Sequence, residues 1–188
     1  MNSRRWTLLA VVGLLASLSP APVIAMQQGP DGPAVESART VIYLVRHAEK
    51  STENPSDPAL TPEGAERATE LARVLSHAGI THVFSTETTR TRTTAAPTAM
   101  QAGVSIAPYD PQGAEGMASF ARQLLTTPGT ALVVGHSNTT PELVEELGGD
   151  AVVPMTDDDY DRLYILTVGP DGTVSSALLH FGAASGGD

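Results

Sequence analysis

Arginine and histidine are scarce in this chain, and several of them fall together. It has 188 residues with 11 Lys plus Arg and five His. Arg46-His47 follows directly on the apolar run Val41-Ile42-Tyr43-Leu44-Val45. Arg90 and Arg92 stand in a threonine-rich segment after Ser85, and His136 follows Ala131-Leu132-Val133-Val134 and Gly135. A guanidinium presents a planar fork of N–H donors that matches phosphate oxygens two at a time. A neutral imidazole can attack phosphorus and carry the phosphoryl group, dividing one hard displacement into two easier ones. Neighbouring guanidinium charges disfavour imidazolium, which keeps His47 neutral near pH 7, and they also stabilise charge on the equatorial oxygens at the transition state. Glycine before His136 lets backbone approach closely. Together these residues suit a phosphate group, with His47 as its nucleophile.

The elements between them must bring these residues to one place. The runs 41–45 and 131–134 are continuous and β-rich, as in strands buried on both faces, and 81–84 reads as a short strand. Thr61-Pro62-Glu63 opens a helix with Thr61 as N-cap; Ala65, Ala68, Leu71, Ala72 and Leu75 form its apolar face, and Gly79 ends it. Further helices are expected over 88–100, 113–126 and 141–147, with a weak strand in 103–109. Gly169-Pro170-Asp171-Gly172 separates 163–168 from 174–179 and predicts a hairpin. Strands alternating with helices imply an α/β fold: a mostly parallel central sheet with helices on both faces and a C-terminal β-hairpin. Ligands of such sheets bind beyond the carboxyl ends of the strands, where Arg46, His47 and His136 stand.

Composition narrows the function. The chain is 41% hydrophobic with a formal charge of −10 and a single lysine, Lys50. That acidity argues against nucleic acid and anionic membrane as partners. With no cysteine, disulfides, thiolate metal sites and a cysteine nucleophile are excluded. Residues 1–25 read as an export signal: Arg4 and Arg5, an apolar core over 6–18, and a small-residue cleavage site ending at Ala25. The expectation is therefore a protein exported to the periplasm or secreted, without stable membrane insertion after cleavage. Residues 26–39 read as a flexible lead-in and 40–188 as a single domain.

At this point the residues resemble a family. Leu44-Val45-Arg46-His47-Ala48-Glu49-Lys50 looks like the R-H-G/A signature of the histidine phosphatase (phosphoglycerate mutase-like) superfamily. Leu60-Thr61-Pro62-Glu63-Gly64 resembles its L-T-x-x-G helix start. The stretch from Ser85 through Arg90 to Thr94-Ala95 resembles its S-x-x-x-x-R-x-x-x-T-A segment, and Val133-Val134-Gly135-His136-Ser137 its second histidine motif. The matches come in family order over roughly residues 40–147, and they point to a small exported branch. The resemblance implies His47 as the phosphorylated nucleophile and Arg46, Arg90 and His136 as phosphate-pocket residues, with Ser137 and Glu49 on the substrate side. Arg90 is preferred to Arg92 because Thr94-Ala95 follows it at the family spacing. The family also uses a carboxyl group to protonate the leaving alcohol; Asp110 is the first candidate, followed by Glu115 and Glu49. The implied activity is hydrolysis of a small phosphorylated substrate, a phosphomonoester, through phosphohistidine, with no metal and no cofactor.

Other readings stand beside this one. The same pocket would serve a phosphohistidine-protein phosphatase, or a non-catalytic module that binds phosphate or a phosphosugar. His77, His82 and His180 read as surface or partly buried residues. A metal between His47 and His136 would be repelled by Arg46 and Arg90. Asp157-Asp158-Asp159 with Asp161 reads as a solvated acidic loop, since it lacks the glycine and glutamate of a calcium loop. The threonine hydroxyls over 86–94 are expected to cap a helix start beside the phosphate pocket. Gly135-His136-Ser137 has histidine where a serine-hydrolase elbow has its nucleophile.

Overall fold

The computed structural model describes residues 39–186. The expected signal segment and all of the lead-in except Arg39 lie outside these residues. Strand β1 (Thr40–Arg46) is followed by helix α1 (Pro62–Val74), β2 (His82–Ser85), α2 (Thr89–Ala102), β3 (Ile106–Pro108) and α3 (Gly113–Thr126). Then come β4 (Gly129–Gly135), α4 (Thr139–Glu146), β5 (Arg162–Val168) and β6 (Val174–His180). The strands form one sheet in the order β3-β2-β4-β1-β5-β6. The first four of that order are parallel, and β5 and β6 add the antiparallel hairpin.

Each apolar run is continuous because successive side chains go to opposite faces. From β1 and β4, Ile42, Leu44, Ala131 and Val133 pack on one side with Met117, Phe120 and Leu124 of α3 and Leu143 and Val144 of α4. Val45, Leu132 and Val134 pack on the other with Leu71 of α1 and Ala95 and Ala99 of α2. Deleting one such leucine typically costs about 2–5 kcal/mol.

Helix α1 starts as its sequence predicts: the Thr61 hydroxyl accepts from the Gly64 amide at 3.1 Å. Its buried face differs from the expectation at one end. Ala65 is exposed, and Gly64 and Arg67 are buried with Ala68, Leu71 and Ala72. A side chain at Gly64 would run into the backbone carbonyl of Glu49, so the glycine of the L-T-x-x-G segment lets the helix start lie against the chain just beyond β1.

Register fixes where the chemistry meets. Arg46 on β1 pairs with Gly135 on β4, and Ser85 at the end of β2 pairs with Val134. The ladder continues one step further, with the His47 amide donating to the Gly135 carbonyl at 2.9 Å. The residues after three parallel strands therefore emerge at one edge of the sheet.

Candidate active site

His47 and His136 sit at that edge with ring centroids 5.5 Å apart and planes at 70°. His47 is 3% exposed. Its Nδ1 lies 2.8 Å from the Ala48 carbonyl, and a carbonyl only accepts, so Nδ1 carries the proton and Nε2 keeps its lone pair. Burial above all lowers the pKa of His47 to about 3. The Ala48 carbonyl opposes this shift, and Arg46, His136 and Arg90 reinforce it. The loop carrying the histidine is tied to α2: the Ala48 amide donates to Thr94 Oγ1 at 3.0 Å, and that hydroxyl donates to the Arg90 carbonyl at 2.8 Å.

His136 has the complementary tautomer. Arg90 Nη2 donates to its Nδ1 at 3.3 Å, which leaves the proton on Nε2 for Thr86 Oγ1 at 2.9 Å. Burial, then Arg90 and Arg46, lowers its pKa to about 4. Beyond Thr86 the hydroxyl of Thr91 lies 3.0 Å away and itself donates to backbone carbonyls of Thr86 and Thr88. The threonines thus form a buried relay behind His136 and do not cap α2 as expected. Thr88 makes no side-chain capping bond, and Asp57 supplies the cap instead, accepting from the Thr89 amide at 2.9 Å and its hydroxyl at 2.6 Å. Asp57 Oδ1 also lies 3.8 Å from Arg90 Nη1.

Arg46 is held from the other side. Its Nη1 donates to the carbonyls of Thr156 at 2.6 Å and Asp159 at 3.2 Å, and its guanidinium lies 4.3 Å from the centre of the Tyr160 ring. Burial is the main influence lowering its pKa. The Nε atoms of Arg46 and Arg90 are both buried without a hydrogen-bond partner in the protein. In each guanidinium, at least one donor of a phosphate-binding edge is therefore uncommitted.

The remaining sequence candidates are placed as follows. Asp110 lines a cleft of about 780 Å³ together with His136, Thr86, Glu87, Tyr109 and Glu142. Its Oδ1 accepts from the Gln112 amide at 2.9 Å. Glu115 is 94% exposed on α3, 3.5 Å from Arg122. Glu49 is held by Arg67, to which both its oxygens are bonded at 2.7 to 3.0 Å. Ser137 lines a neighbouring depression with Met155 and Pro154 and not the His136 cleft. Arg92 is half-exposed near Glu87. His77 is exposed, His82 is partly buried beside Phe84, and His180 pairs with Asp161 at 3.1 Å. Among the described residues no three His, Asp or Glu side chains are grouped to hold a metal ion.

The acidic loop also departs from its expected solvated state. Asp157 is exposed, but Asp159 and Asp161 are buried. Asp159 accepts from the Thr156 amide at 2.6 Å and pairs with Arg162 at 3.2 Å. Tyr160, Arg67 and Asp57 escaped the motif reading because each acts through tertiary packing. Only Arg67 left a trace, as a charged residue one helical turn from both Gly64 and Leu71 on the buried stripe.

Residues 42–111 match the model of the histidine phosphatase superfamily (branch 1). Over this stretch the chain is similar to the histidine phosphatase superfamily. Its mostly parallel central sheet, flanking helices and C-terminal antiparallel hairpin match the histidine phosphatase (phosphoglycerate mutase-like) fold. A curated relative from Escherichia coli, described as a probable phosphoglycerate mutase, GpmB, is 38% identical over 71 residues. That match covers 35% of this chain and 33% of the relative, so the chain spans about a third of the length of the curated relatives it matches. Two solved structures show the same fold. The protein histidine phosphatase SixA, complexed with tungstate, superposes with a TM-score of 0.57 at 20% identity, over 74% of this chain and 96% of that one. A mycobacterial glucosyl-3-phosphoglycerate phosphatase superposes with a TM-score of 0.58 at 13% identity, over 78% and 100%.

Proposed function

We propose that this protein hydrolyses phosphomonoesters through a phosphohistidine formed on His47, without a metal or other cofactor. One observation carries this most directly. The Ala48 carbonyl holds the proton on Nδ1, so an unprotonated Nε2 with a free lone pair sits beside two arginines and a second, neutral histidine. The superfamily supports hydrolytic phosphatase chemistry of this kind, and the tungstate held by SixA is an oxyanion of phosphate shape.

In the proposed reaction Nε2 of His47 attacks phosphorus, forming an N–P bond as the P–O bond to the leaving group breaks. Arg46 and Arg90 hold the equatorial oxygens. His136 Nε2–H exchanges the Thr86 hydroxyl for a phosphoryl oxygen. Asp110 gives its proton to the departing oxygen, a contribution typically worth about 10²–10⁴ in rate. Water then attacks the phosphohistidine and returns a proton to Asp110; the N–P bond breaks and phosphate leaves.

The cleft favours hydrolysis of neutral or cationic esters. Glu87, Asp110 and Glu142 line it, and its described lining includes no lysine or arginine. A leaving group bearing a carboxylate or second phosphate, as a mutase substrate does, would be repelled there. With residues 1–25 read as an export signal, the substrates proposed are small phosphorylated molecules met outside the cytoplasm.

The test is turnover of p-nitrophenyl phosphate by wild type and His47→Ala, with and without chelator. The proposal expects turnover that is insensitive to chelator and lost in the variant. Turnover surviving His47→Ala, or abolished by chelator, would refute it. Saturable phosphate binding without turnover would make the protein a binding module.

A further inference from the structure

The segment from Thr156 to Tyr160 does more than cover Arg46. With Nη1 engaged by two carbonyls and one face covered by the Tyr160 ring, the guanidinium is left with a single free edge, that of Nε and Nη2. Nε is buried and unpartnered, and Nη2 has only Asp157 Oδ1 at 3.6 Å, from a carboxylate that is 92% exposed. The same edge is the one that Arg67 presents to Glu49 and Arg73 to Glu70. It is the edge suited to two parallel bonds to one oxyanion.

The strap itself is fastened from both sides. Asp159 accepts from the Thr156 amide and pairs with Arg162, as described above. The Tyr160 amide donates to Ser185 Oγ at 2.7 Å, and the Phe181 amide donates to the Asp161 carbonyl at 2.9 Å. The Tyr160 ring also reaches the nucleophile, with its centroid 6.1 Å from that of His47. One aromatic ring therefore lies beside both the cation and the imidazole that the phosphoryl group must meet together.

We propose that Tyr160 is a positioning residue, whose ring, with the Thr156 and Asp159 carbonyls, sets Arg46 so that its Nε/Nη2 edge faces a phosphoryl group bound at His47. This rests on the phosphate-binding role given to Arg46 above. Tyr160 takes no part in bond making. It acts by removing the rotational freedom of the guanidinium, so that the second bond to the anion forms without further ordering. A cation over an aromatic face contributes enough for loss of the ring to weaken phosphate binding by about tenfold.

The experiment compares wild type with Tyr160→Phe, Tyr160→Leu and Tyr160→Met in the full chain. It reads kcat and KM for p-nitrophenyl phosphate and the dissociation constant of inorganic phosphate. Tyr160→Phe keeps the ring and is expected to stay near wild type, while Leu and Met raise KM and the phosphate dissociation constant by about tenfold. In an Arg46→Lys background the Leu substitution is expected to add little, because the group it positions is gone. A merely structural role would lower the active fraction, and so kcat, at unchanged KM and phosphate affinity; that result would overturn the proposal. Equal impairment of Phe and Leu would overturn it as well. If wild type binds phosphate without turnover and the Leu variant binds it more weakly, the hydrolase reading fails and the positioning role stands. A wild type that does not bind phosphate sinks both.

Discussion

The rings of His47 and His136 meet edge to face, 5.5 Å between centroids, although 89 positions separate them in the chain. What joins them is a strand pairing: β1 and β4 lie side by side and parallel, with Arg46 opposite Gly135. A side chain at Gly135 would press on the hydroxyls of Tyr109, Thr139 and Thr140, so glycine lets the second histidine come this close to the first.

Both rings are held neutral, and that has a consequence for stability. An unfolded histidine titrates near 6.5, whereas burial lowers His47 to about 3 and His136 to about 4. Above pH 6.5 neither state takes up a proton at these sites and their contribution is complete. As pH falls below 6.5 the unfolded chain binds protons that the folded site refuses, so stability is lost progressively until the folded values are reached. The melting temperature is expected to fall between pH 6.5 and 5, and more shallowly in a His47→Gln, His136→Gln double variant. Identical slopes would show that the rings are not held neutral.

Leaving-group dependence separates the acid from its neighbours. In the step that forms the phosphohistidine, read by rapid mixing, Asp110→Asn is expected to spare p-nitrophenyl phosphate, whose leaving group needs little protonation, and to slow an alkyl phosphate by about 10²–10⁴. Glu142→Gln, in the same cleft, should show no such difference between the two substrates. A reversed pattern would move the acid to Glu142.

Glu49 has a structural partner, and its loss should show as stability. Arg67 is buried; besides Glu49 it donates to the carbonyls of Phe181 and Ala183, at 2.9 Å each. Glu49→Ala leaves a buried guanidinium without its carboxylate and is expected to destabilise the fold by about 3–5 kcal/mol. Denaturant titration measures this. A variant of wild-type stability that fails to turn over substrate would return Glu49 to the substrate side.

Asp57 links the loop before α1 to the start of α2 and to Arg90. Asp57→Ala is expected to raise KM severalfold and lower the melting temperature, because it removes both the cap on Thr89 and the charge beside Arg90. Asp57→Asn should retain part of the cap and recover stability more than KM. Unchanged kinetics in both variants would detach Asp57 from the site.

Much of the fold was legible because the pattern is local. Thr61-Pro62 marks a helix start, Gly169-Pro170-Asp171-Gly172 marks a turn, and the unbroken runs 41–45 and 131–134 mark strands covered on both faces. The placement of His47 and His136 followed from the rule that ligands gather beyond parallel strand ends. The strap on Arg46, the Asp57 cap and the Arg67 clamp were not legible, because they join segments up to 116 positions apart through single side chains. Asp159 and Asp161 misled for a related reason: a run of aspartates looks solvated until an arginine, a histidine and backbone amides fold against it.

The central claim is that phosphorus is bonded to His47 during turnover. The direct measurement is rapid mixing with a phosphomonoester, quenching in alkali to preserve an N–P bond, and peptide mass spectrometry. A phosphoryl adduct on the peptide containing His47, formed and lost at rates compatible with turnover and missing from His47→Ala, is the result this account predicts. Turnover without any phosphoenzyme, or with the adduct on another residue, would contradict it.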